Sequence, residues 1–247
     1  MVLRGFVALI VAGFIWWCWS YPSTWIEYRL TLEVDTPEGP RSGSGVWMVT
    51  SFLEPPLFGS KGGASNLDGE AIPVDLGDRG TLFVLLASRG EDGLPRGWTT
   101  LRTLINHFAP EAITFRSNYL RNRTLSRVTG TADLATQEIP YLVRFRDIND
   151  PTSVEAVDPN DLAKSFGQGV SLKRANIEIL SAGRSFLRWI GIDVRDKTLL
   201  SAGIEKRLHW LRPAREKSID PSFSGAGGPV SQQPLYRLLK QGDFWRH

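Results

Sequence analysis

Cysteine is nearly absent from this chain: of 247 residues only Cys18 carries a thiol. No intramolecular disulfide can form, so packing alone must hold the fold. Histidine is almost as scarce. His107, His209 and His247 are the three present, and none lies within three to five residues of another histidine or of the cysteine, the spacing of a local zinc site. The glycine patterns that cradle phosphates are missing, and so is the Gly-x-Ser-x-Gly of a nucleophile elbow. Ser42-Gly43-Ser44-Gly45 does not match it and reads as a stretch that keeps a hairpin tight, while Gly225-Ala226-Gly227-Gly228 lies in a linker with no strand before it. The expectation is no metal, no cofactor and no catalytic residue. Charge of one sign is also lacking, because a net +3 over 29 basic and 26 acidic residues names no partner.

Long apolar runs are missing with one exception. A free amine and Arg4 precede an unbroken apolar stretch from Gly5 to Trp19, followed by Tyr21-Pro22. A charged end followed by such a stretch is the pattern that export machinery reads. Three readings stay open. The run is shorter than the roughly 20 residues that span a hydrocarbon core, which suits a cleaved signal peptide. Trp16, Trp17, Trp19, Tyr21 and Trp25 on the exit side suit a retained anchor, because amphipathic rings sit well at a membrane interface. Cys18 could accept a lipid, although Trp16 and Trp17 stand where small residues are wanted. Arg4 ahead of the run places the N-terminus in the cytoplasm by the positive-inside rule. The expected location is a single pass through the inner membrane with a periplasmic domain, or the periplasm itself if the leader is cut.

Beyond the leader the composition is that of a folded domain, 42% hydrophobic and 22% charged over the whole chain. The expected layout is a signal peptide or anchor over 1–20, one domain over 21–213, and a flexible segment with a docking tail over 214–247. Trp25 to Val34 alternates apolar and polar, Asp35 to Pro40 supplies turn residues, and Gly45 to Phe52 resumes, which predicts a β-hairpin. Leu53 to Asp68 reads as a long surface loop, and Ala71 to Leu76 with Thr81 to Ser88 as a second strand pair. Trp98, Leu101, Leu104, Ile105 and Phe108 form a helical stripe closed by Pro110. Tyr141 to Phe145 and Ser171 to Leu180 read as strands. Asp158-Pro159-Asn160-Asp161 predicts the start of a helix running to Phe166 and stopped by Gly167. Arg184 to Trp189 and Ile204 to Leu211 read as short helical pieces. Arg215 to Pro234 has little to bury, after which Leu235, Tyr236, Leu238 and Leu239 form a helical turn expected to dock on its own domain. The fold class is α+β, with a largely antiparallel sheet and a few short helices.

Two clusters invite a chemical reading. Asp147, Asp150, Glu155, Asp158 and Asp161 lack the spacing of a calcium loop, so turn formation and capping account for them. From Ala112 to Ala132 there is no acid, while Arg116, Arg121, Arg123 and Arg127 occur beside Phe115 and Tyr119. If the segment is helical, Arg116, Arg123 and Arg127 fall within about 40° of one another. Guanidinium groups take phosphate or carboxylate bidentately, so these four arginines are the candidate anion site, and the bland alternative is a solvated basic face.

Several segments also resemble a known group. Tyr28-Arg29-Leu30-Thr31-Leu32-Glu33-Val34-Asp35-Thr36-Pro37-Glu38-Gly39, Ser42-Gly43-Ser44-Gly45-Val46, Val157-Asp158-Pro159-Asn160-Asp161-Leu162 with Phe166-Gly167, Gly203-Ile204-Glu205-Lys206-Arg207-Leu208-His209-Trp210-Leu211 and Gly242-Asp243-Phe244 together resemble a family of short, membrane-anchored envelope proteins of Gram-negative bacteria whose function is unknown. The resemblance implies an envelope location and one recurring domain, and transfers neither activity nor site residues. Read together, these features favour a non-catalytic binding or scaffolding domain. It would be held at the membrane by its N-terminal segment and meet an envelope protein or an anionic wall or lipid component, not nucleic acid. The alternative is a hydrolase of cell-wall polymer using dispersed carboxylates or a serine.

Overall fold

The computed structural model describes residues 2–20, 23–52, 64–97, 100–115, 118–185, 200, 203–211, 219 and 233–246. It is α+β and dominated by antiparallel pairing. Helix α1 (Val2–Ser20) is followed almost at once by the hairpin of β1 (Ser23–Asp35) and β2 (Arg41–Phe52), in register from Ser23 opposite Phe52 to Val34 opposite Arg41. The turn is closed by Gly39 N donating to Thr36 O at 2.9 Å, with Gly39 at φ +118°, a region glycine enters without a Cβ penalty. β3 (Ala64–Glu70) pairs with β2, and β11 (Ser171–Ser185) pairs with the other edge of β1. With β8 (Gly130–Asp133) and β12 (Trp245–Arg246), they form a six-stranded sheet in the order β12, β3, β2, β1, β11, β8. A second sheet holds β10 (Val154–Ala156), β9 (Leu142–Phe145), β5 (Thr81–Val84) and β4 (Ile72–Asp75), in that order, and β6 (Ser88–Arg89) with β7 (Pro95–Arg96) forms a two-stranded ribbon.

The alternation along β1 decides how the sheets meet. Ile26, Tyr28, Leu30, Leu32 and Val34 are all buried on one face, and with Trp47 and Val49 they pack against Ile72, Val74, Leu82 and Val84 of the second sheet. Helix α2 (Thr100–Phe108) adds Leu104 and Ile105 to this core, and α3 (Asn118–Leu125) adds Leu125. The other face of the second sheet is covered too. Phe83, Leu85, Tyr141 and Val143 pack with Ile204, Leu208, Leu239 and Phe244 from the C-terminal part of the chain. Leu82 to Ala87 is therefore apolar without alternation, as expected for a segment buried on both sides.

Several sequence expectations need correction. Ala64 to Asp68, read as the end of a loop, lies in β3; residues 53–63 lie outside the described part. The helix predicted from Asp158 is the single turn α4 (Ala163–Phe166), because Asp158 accepts the Asn160 N–H and makes a turn of its own. Gly167 ends it at φ +93°, as predicted. Of the helical piece expected over Arg184 to Trp189, Arg184 and Ser185 continue β11, since Thr24 and Ser23 pair with them, and 186–189 lie outside the described residues. The piece from Ile204 shrinks to α5 (Ile204–Arg207). Of the stretch read as flexible, Arg215 to Pro234, only 219, 233 and 234 are among the described residues, and Ile219 is buried and donates its N–H to Leu239 O at 3.3 Å. In the terminal segment α6 (Leu235–Leu238) leads to Leu239 and Phe244, both fully buried in the cluster with Phe83 and Val143. Gly43 and Gly45 stand within β2, opposite Leu32 and Leu30, and not at the hairpin turn.

Helix α1 exposes Val7, Leu9, Ile10, Val11, Phe14, Ile15 and Trp16. The uninterrupted run from Gly5 to Trp19 rises about 22 Å as helix, short of the roughly 30 Å hydrocarbon core. Among the described residues no helix is long and apolar enough to cross a membrane.

A candidate anion-binding groove

The basic segment does not form one helix. Pro110 starts a 3-10 turn over Pro110–Thr114, the chain extends at Phe115, and α3 begins at Asn118. Ala112, Leu125 and Val128 enter the core, which fixes the outward side of the segment. Arg121 turns back instead of outward. Its Nε donates to Ala112 O at 3.3 Å and one Nη to Phe115 O at 3.2 Å, so it secures the end of the 3-10 turn. Arg123 and Arg127 are exposed and, with Phe108, Glu111, Phe115 and Leu120, line an open groove of about 520 Å³. Arg116 lies outside the described residues. The structure thus brings two of the four predicted arginines to one surface and gives a third a structural task.

Arg29, Arg79, Arg96, Arg144, Arg146, Arg174 and Arg246 each meet a carboxylate. Arg123 and Arg127 share with Arg41, Arg89, Arg102, Arg184 and Arg207 the lack of an ion pair among the described residues, and what distinguishes them is that they line one groove together. Arg123 sits in the last turn of α3, where a cation complements the helix dipole, a role that does not call for Arg127. Glu111 is the acid on the lining. Leu120, on the lining, is 46% exposed, and Ile113, in the 3-10 turn between Glu111 and Phe115, is 56% exposed, so exposed apolar side chains accompany the basic ones in this segment. Phe115 was visible as a neighbour of the arginines; Phe108, Glu111 and Leu120 arrive through the fold.

The acidic cluster behaves as turn chemistry. Asp147 accepts from Asn149 N, Asp150 from Thr152 N, Asp158 from Asn160 N, and Asp161 from Lys164 N, all between 2.8 and 3.1 Å. The Asn160 amide also holds the Asp158 carboxyl below its ordinary value. Glu155 pairs with Arg144 and Arg146. Among the described residues no group of three or more His, Cys, Asp or Glu is placed to hold a metal. His107 Nε2 lies 2.9 Å from Glu138 Oε2.

Two further polar features escaped sequence reasoning, because only the sheet assembles them. Glu27 and Asp68 both stand opposite Met48, so they share one face of the six-stranded sheet and are two strands apart. Both are buried, and Glu27 accepts from Ser181 Oγ at 2.8 Å through one oxygen while its Oε1 has no hydrogen-bond partner. A cleft of about 330 Å³ gathers Asn66, Arg96, Lys240, Asp243 and Arg246. There burial pushes the Asp243 carboxyl up, although it accepts the Lys240 N–H at 2.8 Å. No protein-family model, curated protein or solved structure matches the chain.

Proposed function

We propose that this chain is a non-catalytic envelope protein, held at the inner membrane through Val2–Ser20 with its α+β domain on the periplasmic side. Its groove at Arg123 and Arg127 is the surface that recognises an anionic component. The observation that carries this reading is the pair of arginines without ion pairs beside exposed apolar side chains, on a domain whose first strand starts three residues after an exposed apolar helix. Export supplies the reason for such a helix, and anion recognition supplies the reason for leaving two guanidinium groups without acids. A reporter enzyme that works only outside the cytosol, fused behind His247, is expected to be active. Activity confined to a cytosolic reporter at the same position would remove the envelope location.

The alternative of a wall-polymer hydrolase keeps one specific observation. Two strands of separation place the Glu27 and Asp68 backbones roughly 10 Å apart, a span compatible with the carboxylate pair of an inverting glycosidase. Release of sugar fragments from wall polymer by the purified chain, abolished by Glu27→Gln, would put that reading first.

A further inference from the structure

We propose that the groove seats the headgroup of an anionic phospholipid, docking the domain flat on the membrane beside its own N-terminal helix. This rests on the reading of the chain as membrane-held. Arg123 lies in the last turn of α3 and Arg127 in the turn that follows it, where its N–H donates to Thr124 O at 3.1 Å; both side chains line the one groove, so two guanidinium groups are available to a single phosphodiester. The apolar part of the surface distinguishes lipid from wall polymer. Leu120 lines the groove with the two arginines and Ile113 lies in the 3-10 turn that contributes Glu111 to it, and both are about half exposed. A bilayer offers acyl chains just below its phosphates to cover such side chains, whereas a sugar polymer offers only hydroxyls and peptide. Placement in the fold agrees. Gly130, just after the groove, pairs with Ile179, which pairs with Tyr28, five residues into β1. That position is roughly 17 Å along the strand from Ser23, and three residues, at most about 11 Å, separate Ser23 from the end of α1. The groove is therefore within reach of a surface on which the N-terminal helix rests.

The test uses the full chain with Cys18→Ser and Thr124→Cys, an environment-sensitive fluorophore on the new thiol, and vesicles of phosphatidylcholine alone or with phosphatidylglycerol. The fluorophore is expected to respond on the anionic vesicles only, and high salt should weaken the response. Arg123→Gln with Arg127→Gln should lower the apparent affinity for phosphatidylglycerol vesicles about thirtyfold. Removing the same charge at the far end of the sheet, by Arg41→Gln with Lys173→Gln, should change it less than about twofold. Equal loss from the two double variants, an equal response on neutral vesicles, or the same response to soluble anionic wall fragments or inorganic phosphate without lipid would each overturn the inference. Flotation with neutral vesicles reads the N-terminal helix separately. A chain that floats there with a silent groove overturns the lipid site and leaves the anchor. A chain that binds only anionic vesicles, through the two arginines, sustains the lipid site and overturns the anchor.

Discussion

Replacing Phe244 with alanine is expected to cost the fold about 3–5 kcal/mol, the range for truncating a fully buried aromatic ring. Phe244 is 0% exposed although it lies three residues from the chain's end. Its ring stands edge-on to Trp210 at 5.6 Å and beside Phe145 at 6.0 Å, and Phe145 in turn meets Phe83 of β5 at 5.6 Å. The main chain is engaged as well. Ala71 N donates to Phe244 O and Leu86 N to Asp243 O, both at 2.8 Å, so the terminal segment satisfies amides at the ends of β4 and β5. Removing the ring leaves a cavity between the second sheet and the C-terminal layer and loosens the strap that makes these bonds. Urea unfolding of the full chain in one detergent, compared with Phe244→Ala, measures the loss. Phe244→Leu should retain most of the stability, because a similar apolar volume is kept. A loss below about 1 kcal/mol for the alanine variant would mean that the terminal layer contributes little to holding the domain.

How far the fold was readable depended on whether local pattern and tertiary contact agreed. The β1 and β2 hairpin carried alternation, turn residues and β-formers in one stretch, and it forms where these point. β3 is the opposite case. Ala64-Ser65-Asn66-Leu67-Asp68-Gly69-Glu70 is polar, with one large apolar residue, and nothing in it announces a strand. It is extended because β2 offers a free edge, with Met48 opposite Asp68 and Thr50 opposite Asn66. Pairing context overrides intrinsic preference in such a strand. The end of β11 follows the same logic, since Arg184 and Ser185 are held by the first residues of β1.

The candidate groove was half readable for a related reason. Arginine spacing and the absence of acids are local facts, and Arg123 and Arg127 both line the groove, although the single helix that the spacing assumed does not form. The diversion of Arg121 to two carbonyls was not legible, because it requires the break at Phe115 that separates the 3-10 turn from α3. The wall at Phe108 comes from α2, brought there by core packing of Leu104 and Ala112. Glu27 and Asp68 stand 41 residues apart in sequence and meet only through register, so no spacing rule could have joined them.

Gly43 carries the second large effect. The glycine was legible, but its reason was not, because that reason belongs to another strand. A Cβ at position 43 would lie 2.5 Å from Pro73 O and 2.8 Å from Val74 Cγ2, so β4 passes over β2 at a distance only glycine permits. Neither side can yield cheaply. Gly43 is fixed opposite Leu32 in the first sheet, while Pro73 and Val74 are fixed opposite Phe83 and Leu82 in the second. Gly43→Val must therefore part the two sheets where Val34, Val74 and Leu82 pack, and the expected destabilisation is about 3 kcal/mol or more, at the upper end for overpacking. Gly97→Ala serves as the contrast, since nothing lies within 4 Å of a Cβ there, and it should stay within about 0.5 kcal/mol of the parent. Urea midpoints for the three proteins decide the matter. Equal stability of Gly43→Val and Gly97→Ala would show that the sheets do not cross at β2 and β4 as described.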